Sequence, residues 1–286
     1  MGQSSSHAVR AAIRRLNPLH APVRRGHVFR PSFLRACLLL ALAPACRETP
    51  PSPAPPSSGA PPPAARPVAP VTEWGTLEGR VRLSGPPPAP VLRDTSATAA
   101  GVCGEQSEDR SLVVGPGGAL AYAVVALRDG ADFAAPPEPT AEPVLDQRKC
   151  SYEPPALAAR AGSSLALRNS DPLVHNVRAA SGANRSVFNV AMPLEGMTLH
   201  RPLPAEPGTV AIRCDVHPWM RAVVRTFDHP YFTTSGADGH FRLKVPAGKH
   251  TLVFWHERLP ETSRAVEIHA GETVTVDQEW GSADLR

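Results

Sequence analysis

No segment of this sequence shows the 3.6-residue apolar spacing of a long amphipathic helix, and no pattern recurs at a fixed period. Helical bundles and solenoids are set aside on that ground. The longest apolar run, Ala36 to Ala45, falls well short of the roughly 20 residues a helix needs to cross a bilayer. Charge of one sign is not in large excess either. The formal net charge is +4, and much of it sits in residues 1–47, which contain arginine but no Asp or Glu. The body of the chain therefore lacks the basic field that nucleic-acid binding draws on, and no nucleic-acid partner is expected. What the sequence has in quantity is proline, 34 residues, with 21 glycines beside it. Both disfavour helices and set turns, so short strands and an all-β fold follow. The 286 residues leave room for two small domains once a leader is subtracted, and the odd count of five cysteines has to be resolved position by position.

Arg24, Arg25, Arg30 and Arg35 precede the run Ala36 to Ala45, the layout of an export signal. The run closes in Leu42-Ala43-Pro44-Ala45-Cys46, which resembles a bacterial lipobox with Cys46 as the lipidated N-terminus of the mature chain. Pro44 departs from that pattern, and simple signal cleavage near Ala45 is the alternative. Residues 1–27 look like neither folded structure nor an ordinary leader, which makes Val28 a candidate initiator. Glu48 to Pro70 is dominated by Pro, Ala and Ser and reads as an extended tether. The chain is thus expected in the periplasm or cell envelope, held to a membrane through an N-terminal lipid.

From Glu73 onward, short apolar segments alternate with Gly/Pro turns. Gly79-Arg80-Val81-Arg82-Leu83 and Thr273-Val274-Thr275-Val276 alternate in polarity, as strands with one wet face do. A boundary is expected near Asp228 to Tyr231. Beyond it, the turn Thr234 to Gly239, the strand His240 to Val245 and the turn Pro246-Ala247-Gly248 resemble the carboxypeptidase regulatory-like, transthyretin-type β-sandwich. That resemblance implies a structural module without chemistry of its own.

The chemistry concentrates in Cys214-Asp215-Val216-His217-Pro218-Trp219-Met220, where a thiolate, an imidazole and a thioether recur at three-residue intervals. Such donors on a short loop supply three of the four groups of a trigonal His₂Cys copper site with a weak axial Met. His175, well upstream in Asn169-Ser170-Asp171-Pro172-Leu173-Val174-His175-Asn176-Val177, is the fourth candidate. With these residues the chain resembles the cupredoxins, most closely the plastocyanin and amicyanin branch. Cys214, His217, Pro218, Trp219 and Met220 match the short ligand loop. Tyr152, Pro154, Gly162, Asn169, Asp171, His175, Asn176 and Val177 match the upstream pattern, and Phe188, Gly196, Pro207 and Gly208 follow in family order.

The resemblance spans roughly 143–227 and implies a Greek-key β-sandwich holding one type 1 copper at His175, Cys214, His217 and Met220. Asn176 is then expected to tie the His175 strand to the Cys214 loop. The domain layout that follows is a leader over 1–46, a linker over 47–72, a cupredoxin-like domain with an N-terminal elaboration over 73–228, and the small sandwich over 229–282.

With Cys214 on the metal, Cys37 in the leader and Cys46 in the anchor, Cys103 and Cys150 remain as a disulfide in an oxidising compartment. His200, His229 and His256 lack ligand-like spacing and are read as structural rather than as a second metal site. No Ser/His/Asp or Cys/His nucleophile is supported, so the expected function is not enzymatic. It is one-electron transfer with an unidentified redox partner protein; copper storage or delivery, or an envelope module stabilised by copper, are the alternatives. Trp219, with Arg213, Arg221 and Arg225 nearby in sequence, is a candidate docking element for an acidic partner, unless it packs on the second domain.

Overall fold

The computed structural model describes residues 68–286 apart from 99, 137–140 and 183. The leader, Cys46 and nearly all of the tether lie outside the described residues. What is described belongs to a single compact unit of the chain and is built almost wholly of strands, an all-β architecture with two hydrophobic cores.

The continuous stretch 144–227 makes the first sandwich. One sheet has five strands in the order Arg185–Met192, His175–Ser181, Gly208–Arg213, Arg221–Phe227 and Ala156–Arg160. The other has four, Thr198–Pro202, Ser164–Asn169, Val144–Arg148 and Ser151–Glu153. Leu145, Leu165, Leu167, Val177, Ala179, Ile212 and Val224 are buried in the core of this sandwich. Strand periodicity explains the selection: along Gly208–Arg213, Val210 and Ile212 are buried while Ala211 is exposed.

The second sandwich corrects an expectation. Leu77 to Asp132, read from sequence as an elaboration of the cupredoxin-like domain, gives its two long-paired strands to the C-terminal sandwich instead. Trp74–Ser84 pairs antiparallel with His240–Pro246, Leu77 opposite Leu243, and parallel with Thr273–Thr275 and Gln278–Gly281. Val124–Leu127 sits between Phe232–Thr234 and Gly248–His256, which continues to Leu259–Ile268. The physical reason is burial. The C-terminal fifty residues alone cannot enclose Phe241, Val245, Leu252 and Phe254, and Leu77, Val81, Leu120, Val125 and Leu127 complete that core. The turn ahead of His240 is as tight as Asp238-Gly239 suggested. Gly239 has a φ of 74°, and a Cβ there would stand 2.5 Å from the Val81 carbonyl oxygen.

Between Trp74–Ser84 and Val124–Leu127 the second sandwich sends out a strap. It contains a two-stranded ribbon, Leu92–Asp94 with Gln106–Glu108, and one helical turn, Ala100–Cys103. Thr95 closes its neck by donating Oγ1 to the Gly104 carbonyl at 2.9 Å. Val102 and Cys103 leave their own sandwich and pack on the first core.

Candidate metal centre

Three adjacent strands of the five-stranded sheet end at one point. Gly208–Arg213 runs into Cys214, and Met220 lies directly before Arg221–Phe227, so the loop 214–220 closes a hairpin. Within it the Met220 amide donates to the His217 carbonyl at 2.9 Å, and the Cys214 amide donates to the Met220 carbonyl at 3.3 Å. The His217 amide points at Cys214 Sγ, 3.4 Å away, a donor suited to a sulfur that carries charge. His175 is the first residue of the neighbouring strand, which brings its ring over this loop.

The donors converge. His175 Nδ1 and His217 Nδ1 lie 2.9 Å apart, and Cys214 Sγ is 3.9 Å from His217 Nδ1. The three ligand atoms all fall within 4.8 Å of one another. His175, Cys214, His217 and Met220 are each buried, Met220 in the same hydrophobic cluster. The other nitrogen of His175, Nε2, meets Asp171 Oδ2 at 3.0 Å, which fixes the tautomer and turns the Nδ1 lone pair toward the cluster. Burial pushes the His175 pKa below the usual histidine value, with Asp171 opposing. His217 is lowered by burial first and by the nearby His175 second. Neutral rings with oriented lone pairs beside a buried thiol fit a soft or borderline metal ion. Cys214 is a free thiol.

Asn176 joins two loops. Its Oδ1 accepts from the Asp215 amide at 2.5 Å, and its Nδ2 donates to Asp215 Oδ2 and Asn189 Oδ1 at 3.0 and 2.8 Å. Arg178 clamps the far side of Asp215 at 2.8 Å. Sequence reasoning named Asn176 but missed Asp215, Asn189 and Arg178; the one available signal was Asp215 inside the ligand loop. It also missed the work of Asp171, whose carboxylate accepts from the Lys149 and Cys150 amides at 2.6 and 2.8 Å as well as facing His175. Lys149 and Cys150 both have positive φ, 50° and 53°, and this charge-assisted pair of hydrogen bonds holds the turn there.

Cys103 and Cys150 are bonded to each other. Trp219 is half-buried, its ring 5.2 Å from that of His217 and its Nε1 donating to the Cys150 carbonyl at 3.1 Å. It therefore packs on the loop 214–220, the Cys150 backbone and the core of the first sandwich. Arg213 and Arg221 line a groove with Pro218, Trp219, Arg93 and Asp109, whereas Arg225 lies elsewhere, over the Trp255 ring. The three other histidines considered from the sequence stand apart: His200 on Glu142, His229 against the Tyr231 amide, and His256 against the Arg258 amide.

Fold and site together define an all-β protein with a buried His₂Cys donor cluster at one end of a sandwich. No family model matches the sequence, and no curated protein matches it. Among solved structures, a purple cupredoxin from Nitrosopumilus maritimus is similar at 21% identity over 30% of this chain and 100% of its own, with a TM-score of 0.27. A reduced Cu(I) form of an amicyanin variant is similar at 26% identity over 36% of this chain and 98% of its own, TM-score 0.28. A Cu-containing nitrite reductase from Thermus scotoductus SA-01 follows at 19% identity, covering 33% of this chain and 24% of its own, TM-score 0.26.

Proposed function

We propose that this chain holds one copper ion at His175, Cys214, His217 and Met220 and passes single electrons through it in a bacterial cell envelope, without bond-making catalysis. The observation that carries the reading is the convergence of two oriented imidazoles and a free thiol in a buried cluster. Copper bound there supplies a Cu(I)/Cu(II) couple.

The residues do the rest. Asp171 holds the His175 ring, and Asn176 with Asp215 locks the His175 strand to the Cys214 loop, so the donors keep their places when the charge between them changes. Met220, a thioether buried in the same cluster, would complete the donor set and tune the potential. Val174 and Val216, each preceding a ligand histidine and each about half exposed at 51% and 47%, offer an apolar surface beside the site to a redox partner. The leader and Cys46 put this domain on a membrane by a lipid and a long tether.

A copper titration followed by voltammetry tests the reading. One equivalent with a reversible one-electron wave is expected. Copper that binds without a reversible wave and passes to a chelator within seconds turns the reading into delivery.

A further inference from the structure

The disulfide lies against the metal cluster. A ring nitrogen of His217 is within 4.8 Å of both Cys103 Sγ and Cys150 Sγ, and Cys150 Sγ is equally near the ring of His175. All of these side chains are buried. Three sulfurs and two imidazoles are therefore contiguous, and only the S–S bond withholds two of the sulfurs from a metal. Cys103 arrives on the strap of the other sandwich, and Cys150 is held by Asp171, the same carboxylate that orients His175.

We propose that Cys103, Cys150 and His217 form a second, redox-gated Cu(I) site. A dithiol reductant delivers two electrons and two protons, the S–S bond breaks into two thiols, and the reductant leaves as its own disulfide. Cu(I) then displaces the thiol protons to solvent and takes two thiolates with the His217 imidazole, a soft donor set matched to that ion. Exchange with a disulfide oxidant closes the site: the oxidant takes up two electrons and two protons to become a dithiol, the S–S bond re-forms, and Cu(I) is released. The disulfide thus controls whether His217 serves the electron-transfer cluster alone or a neighbouring holding site; the copper reading enters only in the choice of metal.

The test uses the full chain with Cys37, Cys46 and Cys214 replaced by serine, so that Cys103 and Cys150 are the remaining cysteines. One sample keeps its disulfide; the other is reduced with dithiothreitol and desalted under argon. Cu(I) binding is read by competition with a chromophoric Cu(I) chelator, and folding by circular dichroism. The reduced form is expected to bind one Cu(I) at least 100-fold more tightly than the disulfide form. Alkylation with iodoacetamide should abolish the gain, and His217→Ala should cut it at least tenfold. Equal binding in both forms, a gain that survives alkylation or His217→Ala, or loss of the native spectrum on reduction overturns the proposal. The electron-transfer reading is judged separately, on the charge-transfer band of the unreduced wild type.

Discussion

At the scale of single residues, Cys214 and Met220 divide the work of a thiolate and a thioether. Cys214→Ser is expected to remove the intense sulfur-to-copper charge-transfer absorption of the Cu(II)-loaded protein; a variant with undiminished colour places the thiolate elsewhere. On the proposed reading, Met220→Leu should retain copper and raise the potential, since a weak thioether donor would tune the couple without being needed for binding. A fall in potential on voltammetry would count against that role.

His256, outside the cluster, gives a pH prediction. Burial lowers its pKa to about 4, and Arg258 adds to the shift. The unfolded chain then binds a proton near pH 6.5 that the folded chain refuses until about pH 4. Stability is full above the upper value and declines as pH falls through that window, by about 3 kcal/mol from this group. Burial lowers His229 as well, with the same sign. Urea titrations of metal-free protein across this range should show the slope, and His256→Gln should reduce it while the contributions of His229, His175 and His217 remain. Cys214, His217 and Met220 were legible as candidate donors in the sequence because they are spaced locally. The work of Asp171 was not, because its bonds to Lys149, Cys150 and His175 arise only when two loops meet.

At the scale of elements, Asn176 and Arg178 both reach from the His175 strand to Asp215 in the loop 214–220, and Asn176 bonds the Asp215 backbone amide as well as its carboxylate. Asn176→Ala removes one acceptor from the Asp215 amide and one donor from its carboxylate, both part-buried. A loss of roughly 1–3 kcal/mol is expected in the denaturation midpoint, together with slower electron self-exchange by NMR line broadening. Unchanged exchange would separate the bridge from the redox role. In the core, Leu167→Ala should cost about 2–5 kcal/mol, because the side chain is fully buried between the sheets. Alternation along Trp74–Ser84 showed in advance that one face is buried, since Leu77, Val81 and Leu83 recur on it. It could not show the partner, because nothing local in the strand ties Leu77 to Leu243 or to Val274.

At the scale of the whole molecule, the sandwich that carries the cluster is an insertion. The host sandwich is assembled from residues on both sides of it, Trp74–Leu127 and Phe232–Gly281. A fragment of residues 73–228, cut where sequence alone would cut, should aggregate. It leaves Leu77, Val81, Leu83 and Val124 to Leu127 without the strands that cover them. A monomeric, folded fragment in sedimentation would contradict this. The Pro-x-Gly and Asp-Gly turns were readable as punctuation, but the closing of one sandwich around another is a matter of pairing across the entire chain.

That closing sets an order of events as the chain is made. The first of the described strands, Trp74–Ser84, lies between His240–Pro246 and strands that are made last, Thr273–Thr275 and Gln278–Gly281. It must wait while more than 150 residues follow it before its first long partner, His240–Pro246, is made. The cluster sandwich over 144–227 is complete well before then, so His175, Cys214 and His217 can converge while the host is still open, and the strap bearing Cys103 is available to join Cys150 ahead of the final seal.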